Sequence, residues 1–140
     1  MTRRADDDRG VVATYVAFLA GPLLLVTGLV VDGGGKIATY IEASNLAGGA
    51  ARAGAQAVDE GALYTTGEVV LIEDDAEEAA ATYLIAAGGV EEYDVDVDSD
   101  GDTVTVSVTL IHDPKMLPTG SQAITAEASA TVLRGVEAGV

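Results

Sequence analysis

Residues Val11 to Val31 read VVATYVAFLAGPLLLVTGLVV, 21 consecutive residues without a charge. At about 1.5 Å rise per residue a helix of that length reaches about 31 Å, the thickness of a bilayer's hydrocarbon core. A buried core helix is the first rival. A helix apolar on every face needs apolar neighbours all round, and a chain of 140 residues has too little apolar sequence left to supply them. A cleaved secretory signal is the second rival, since three arginines precede the run. Such a signal has an apolar stretch of about 7–15 residues closed by an A-x-A-like site, whereas this run is longer and closes on Asp32-Gly33-Gly34-Gly35. The segment reads as a single transmembrane helix.

Lys and Arg near the ends of a span set its orientation. Arg3, Arg4 and Arg9 precede it and only Lys36 lies close behind. The N-terminus is therefore expected in the cytoplasm and the residues from Asp32 onward outside. That outer part carries the charge imbalance of the chain, 4 basic against 20 acidic residues, within a formal net charge of -16. So negative a surface repels phosphate backbones, and the basic residues after Arg9 are scattered, which excludes nucleic acid as a partner. Cys and Trp are absent and His112 is the single histidine. Disulfide frameworks, thiolate metal sites and cysteine nucleophiles are excluded with them.

Pro22, beside Gly21, removes a donor in the middle of the span and predicts a local loosening whose freed carbonyl is satisfied by neighbouring helices or hydroxyls. Both residues are candidates for helix packing. Beyond the span, residues 36–58 contain no Pro and repeat apolar or small residues at Ile37, Ile41, Ala47, Ala51, Ala55 and Val58, a helical period. A stem helix is expected there, joined to the span by a hinge at Gly33 to Gly35, where each Gly costs roughly 1 kcal/mol relative to Ala. Gly49, Ala53 and Gly54 have the small side chains that permit close helix contact, either with a partner or copy of the chain or with the protein's own sheet.

Asp75-Ala76-Glu77-Glu78 opens a second, short helix with Asp75 as its cap, the face Ala76, Ala79, Ala80, Tyr83, Leu84, Ala87, and Gly88-Gly89 as its stop. Val69 to Ile72 is a candidate short strand. The strongest β signal is EYDVDVDSDGDTVTVSVTL. A two-residue turn at Asp100-Gly101 pairs Val97 with Val104, Val95 with Val106 and Tyr93 with Val108 on one face, leaving Asp94, Asp96 and Asp98 opposite Ser107, Thr105 and Thr103 on the other. After a loop with Pro114 and Pro118, Ala123 to Val132 alternates and predicts a third strand. The expected fold is α+β: a long N-terminal transmembrane and stem helix bearing a small headpiece of one short helix and an antiparallel sheet. The organisation is a leader at 1–10, the transmembrane helix at 11–31, the Gly hinge and stem at 32–58, and an acidic extracytoplasmic headpiece at 59–140.

Asp96-x-Asp98-x-Asp100-Gly101 matches the first half of an EF-hand loop, but Ser107 stands where the bidentate Glu is needed, and the pattern is strand–turn–strand. A solvated acidic hairpin is the preferred reading, with metal as the weaker alternative. His112 beside Asp113 lacks any accompanying nucleophile motif and reads as a strand-end histidine. Gly33-Gly34-Gly35-Lys36 has Val30 and Ile37 where a phosphate loop needs Gly and Ser or Thr. No enzyme and no cofactor is expected.

Asp8-Arg9-Gly10, a span containing Pro22, Asp32-x-Gly34, and Asn45-Leu46-Ala47-Gly48-Gly49-Ala50-Ala51-Arg52-Ala53-Gly54-Ala55 together resemble the TadE/TadG-like family of Flp (Tad) pilus assembly proteins. The likeness covers about residues 8–55, with Ala126 to Ala130 similar to the family's last strand. It implies a pseudopilin-like subunit of the cytoplasmic membrane, partnered by other pilus subunits or assembly-platform proteins and associating through its stem. It also implies a prepilin-peptidase cut between Gly10 and Val11. Tyr15 stands where processed members carry Glu, and Gly48 where the family usually has Asp. The alternative is a membrane-anchored binding domain that never polymerises and presents its acidic face to a basic partner.

Overall fold

The computed structural model describes residues 5–57, 71–98 and 102–132, with side chains from Gly10 onward. Helix α1 runs from Ala5 to Gly54, 50 residues, a rod of about 75 Å. Its N-terminal part is apolar and exposed on all sides, Phe18, Leu23, Leu25 and Val30 included, as a bilayer-crossing segment must be. Within it Thr14 and Thr27 donate their hydroxyls to the carbonyls of Gly10 and Leu23, four residues back, so neither polar group is left bare.

At Gly33 to Gly35, where a hinge is expected, α1 continues unbroken as helix. The intrinsic cost of three glycines is offset by the headpiece, which grips this turn from the side. Above it, α1 ends earlier than the sequence pattern suggested, at Gly54. Ala57 then donates to the Gly54 carbonyl and accepts from Ile72 N–H at 3.2 Å. Of the candidate strand, Leu71 is buried and makes an isolated bridge; Val69 and Val70 lie outside the described residues.

Helix α2 spans Glu73–Ala87. It starts two residues before the expected Asp75 cap. Ile72, in extended conformation and without a side-chain cap bond, takes the N-cap position, and Asp75 joins Glu73 and Asp74 in the first turn, where carboxylates oppose the positive end of the helix dipole. Gly88 ends the helix as anticipated, at φ 71°, donating its N–H to the Leu84 carbonyl.

Strands β1 (Glu92–Val97), β2 (Thr103–His112) and β3 (Gln122–Thr131) form one antiparallel sheet in that order. The hairpin register is the one read from the sequence: Val97 opposite Val104, Val95 opposite Val106, Tyr93 opposite Val108. Alternation places Val104, Val106, Val108 and Leu110 inward, and Tyr93, on the same face, is half-exposed at the margin. The whole is an α+β fold with a stem helix.

The core lies between the sheet, α2 and the upper half of α1. The stem contributes Ala43, Ala47, Ala50 and Ala51, all fully buried, against Val104, Val106, Val108 and Ala126 of the sheet and Ala76, Ala80 and Leu84 of α2. Alanine brings helix and sheet close enough to fill the layer without larger side chains. The headpiece therefore folds on the stem, since one wall of its core belongs to α1.

Candidate functional site at the junction of stem and headpiece

Gly28, Asp32, Gly35 and Thr39 recur every three or four residues and so share one face of α1, the face that Ala43 and Ala47 continue upward into the core. On this row the β2–β3 loop and the end of β2 meet the helix. A Cβ placed on Gly28 would lie 3.4 Å from Leu117 Cδ2 and from Met116 Cβ. The strand-end His112 covers Gly35, where a Cβ would come within 2.6 Å of the imidazole Cε1.

Asp32, 5% exposed, is the centre of the contact. Its Oδ1 accepts from Lys115 N–H at 2.8 Å and Met116 N–H at 3.1 Å, and its Oδ2 accepts from Met116 N–H at 3.2 Å and Leu117 N–H at 2.6 Å. Three successive amides converging on one anion form a nest, a concave arrangement of partial positive charge. Burial pushes the Asp32 carboxyl up, but the three N–H donors, with a smaller contribution from the neighbouring His112, outweigh it and hold the carboxyl below its ordinary value. The charge is retained because the backbone solvates it in place of water.

His112 is buried as well. Its Nδ1 lies 3.2 Å from Thr39 Oγ1, which in turn lies 3.1 Å from the Gly35 carbonyl. A hydroxyl has one proton. When Thr39 gives it to Gly35, its oxygen accepts from His112 Nδ1–H, which assigns the neutral ring the tautomer with an unprotonated Nε2. Nε2 is a buried atom with no protein partner; a lone pair occupies that position in this tautomer. Carboxylate, imidazole and hydroxyl thus brace helix against loop, with the Thr39 hydroxyl committed to the Gly35 carbonyl. Their chemistry is that of a clamp.

The three glycines of this turn are not equivalent. A Cβ on Gly33 or Gly34 would meet nothing within 4 Å, whereas one on Gly35 would strike His112. G33A and G34A should each raise stability by about 0.5–1 kcal/mol, the ordinary gain of Ala over Gly in a helix. G35A should lower it by displacing the ring. Thermal melts of the three full-length variants in one detergent check the contrast.

Residues singled out in the sequence fall in several places. Gly10 and Val11 are exposed and helical, and Gly21 and Pro22 continue the same helix, with nothing within 4 Å of a Cβ on Gly21. Gly49 faces the ring and hydroxyl of Tyr83, and Gly54 packs so that a Cβ would lie 3.0 Å from the Ala76 carbonyl oxygen and 3.1 Å from Val104 Cγ1. Both glycines are thus occupied inside the chain by α2 and the sheet, while Ala53 is half-buried. Asp96 is exposed on β1 opposite Thr105, and Asp98 donates its N–H to the Thr103 carbonyl at 2.9 Å. Asp100 lies outside the described residues. Among the described residues no group of three or more acidic or histidine side chains is gathered as a metal site would need.

The clamp itself escaped sequence reading. Asp32 reads as the polar end of a span and His112 as a strand terminus; 80 positions separate them. The available signal was a carboxylate at a bilayer edge spaced by whole helical turns from Gly28, Gly35 and Thr39.

Comparison with protein families places a match on residues 10–57, to the family described as "Putative Flp pilus-assembly TadE/G-like". The match begins at Gly10, takes in Asp32 and ends three residues past α1. Comparison with curated proteins gives no match. Comparison with solved structures gives none either. Over its apolar stem helix, then, this chain is similar to the TadE/G-like family of Flp pilus-assembly proteins, a likeness that supports involvement in assembly of that pilus.

Proposed function

We propose that the protein is a minor pilin or pseudopilin-type assembly subunit of a Tad (Flp, type IVb-like) pilus, acting by lateral packing of its α1 stem in the membrane or filament. The observation that carries this reading is the coincidence of the family match with α1, together with the stem's uncovered side. The headpiece sits along the row of Asp32, Ala43 and Ala47. Away from it, Val30, Ile37 and Ile41 continue the apolar surface of the span upward, with Ile37 63% and Ile41 53% exposed. Ile37 and Ile41 lie above the residues that a bilayer would cover, so a helix of another subunit is the natural cover for them. Its N-terminus is in the cytoplasm and its headpiece outside, by the arginines of the leader. The glycines at 49 and 54 serve contact within the chain, and Gly21 and Pro22 are the small-residue positions left open for helices of other subunits.

A non-polymerising, membrane-anchored assembly factor with an acidic outer face is the second reading. Tyr15 favours it, since a Glu at that position would pair with the amino terminus created by cleavage. The intact mass of the protein recovered from its native membrane separates the two. A chain starting at Val11 is the expected result for a filament subunit; a chain retaining residues 1–10 assigns the anchored role.

A further inference from the structure

The β2–β3 loop reaches below the polar end of the span. Gly28 lies three residues inside Val31, a depth of about 4.5 Å along the helix, and it is Gly28 that Leu117 and Met116 touch. Met116 is 52% exposed, with Pro118 exposed beside it. The loop is stapled at this height: Asp32 takes its three amides, and Ser121 donates to Asp113 across its base. Its one charged side chain that points away from these bonds is Lys115, exposed, and Lys36 lies one turn above Asp32. Both lysines of the chain are therefore gathered at this end, while Asp94, Asp96 and Asp98 stand on the hairpin toward the opposite end of the sheet.

We infer that the tip Met116-Leu117-Pro118 is a second membrane contact, inserted into the interfacial layer of the leaflet on the headpiece side, with Lys115 and Lys36 directed to lipid phosphates. The inference rests on the reading of α1 as a bilayer-crossing helix. Exposed Met beside Pro would be costly to hydrate at a loop tip, yet at this depth lipid covers it. A lysine with its stem along apolar surface and its ammonium at the phosphates is the ordinary arrangement at an interface. The clamp then has a purpose beyond folding, since it fixes the height at which the headpiece rides on the bilayer. In the filament the same tip would have to leave lipid, so insertion would favour the membrane-resident state of the subunit.

The chain contains no Trp, so a single introduced one reports its own surroundings. The full-length variants M116W, L25W and I85W are reconstituted in vesicles of phosphatidylcholine and phosphatidylglycerol, with and without bromine on the acyl chains near the headgroup. Met116 and Ile85 are both exposed, Ile85 at 72%, and neither substitution disturbs the core. L25W, mid-span, should be shielded from water, and I85W, high on α2, should report water and no quenching. M116W should be quenched by the shallow bromines and its emission shifted to the blue. Emission from M116W that matches I85W overturns the proposal, as does a blue shift without bromine quenching, which would mean cover by protein. If L25W itself reports water, the membrane-span reading fails instead, and the two failures are told apart. K115E should weaken M116W quenching only in vesicles containing phosphatidylglycerol.

Discussion

Asp32→Ala should free the β2–β3 loop from the stem while leaving the secondary structure of α1 in place. The substitution removes both acceptor oxygens and strands the N–H groups of Lys115, Met116 and Leu117 against an apolar helix face, where water reaches them poorly. A buried donor without a partner suffers its full desolvation penalty, so the loop should open to find water. The amides of residues 115–117 should then exchange about tenfold faster or more, as exchange follows the free energy of local opening. Asp32→Asn keeps one carbonyl acceptor and should fall between wild type and D32A. Acid provides an independent check. Because the folded carboxyl titrates below its ordinary value of 3.8, its stabilising contribution is complete above that value and is lost as pH falls through the lower, folded one. The difference in Tm between wild type and D32N should therefore be constant at neutral pH and shrink only in strong acid. A difference that already disappears near pH 6 would mean that another group carries the effect.

Leu84→Ala should be the most damaging change in the headpiece. Leu84 is 1% exposed and among the largest fully buried side chains. It is the one Leu on the inner face of α2, amid stem alanines too small to close a gap. Truncation leaves a cavity as well as lost transfer energy, and the cost should be about 2–5 kcal/mol. Ile85, its neighbour at 72% exposure, should change stability by less than about 0.5 kcal/mol when cut to Ala. Circular dichroism melts of the two variants in a common detergent give the comparison.

The parts of this fold that sequence revealed are those with short-range causes. An uncharged run as long as a bilayer is thick leaves one solution, and α1 follows it. In the hairpin, the alternation of the two runs admits one pairing that sets every valine opposite an apolar residue, so register followed down to the pair. The misreadings have longer-range causes. Three glycines in a row predict a hinge on propensity alone, yet Asp32, Gly35 and Thr39 are held by residues about 80 positions away, and tertiary contact overrides propensity. Asp75 was the better cap chemically, but Leu71 turning into the core starts the helix earlier. Gly49 and Gly54 have spacing that suits a neighbouring chain as well as a neighbouring helix of the same chain; only the location of Tyr83 and Ala76 decides between them. The clamp was invisible for the same reason, since a carboxylate and three backbone amides leave almost no signature in composition.

The uncovered side of the stem is proposed to meet other subunits of the pilus machinery. A photo-cross-linking residue at Ile41, with one at Ile85 as control, tests it in cells that assemble Flp pili. Adducts with other pilus-assembly subunits are expected at Ile41 and few at Ile85. Pili assembled at normal yield with no protein adduct at Ile41 would contradict it.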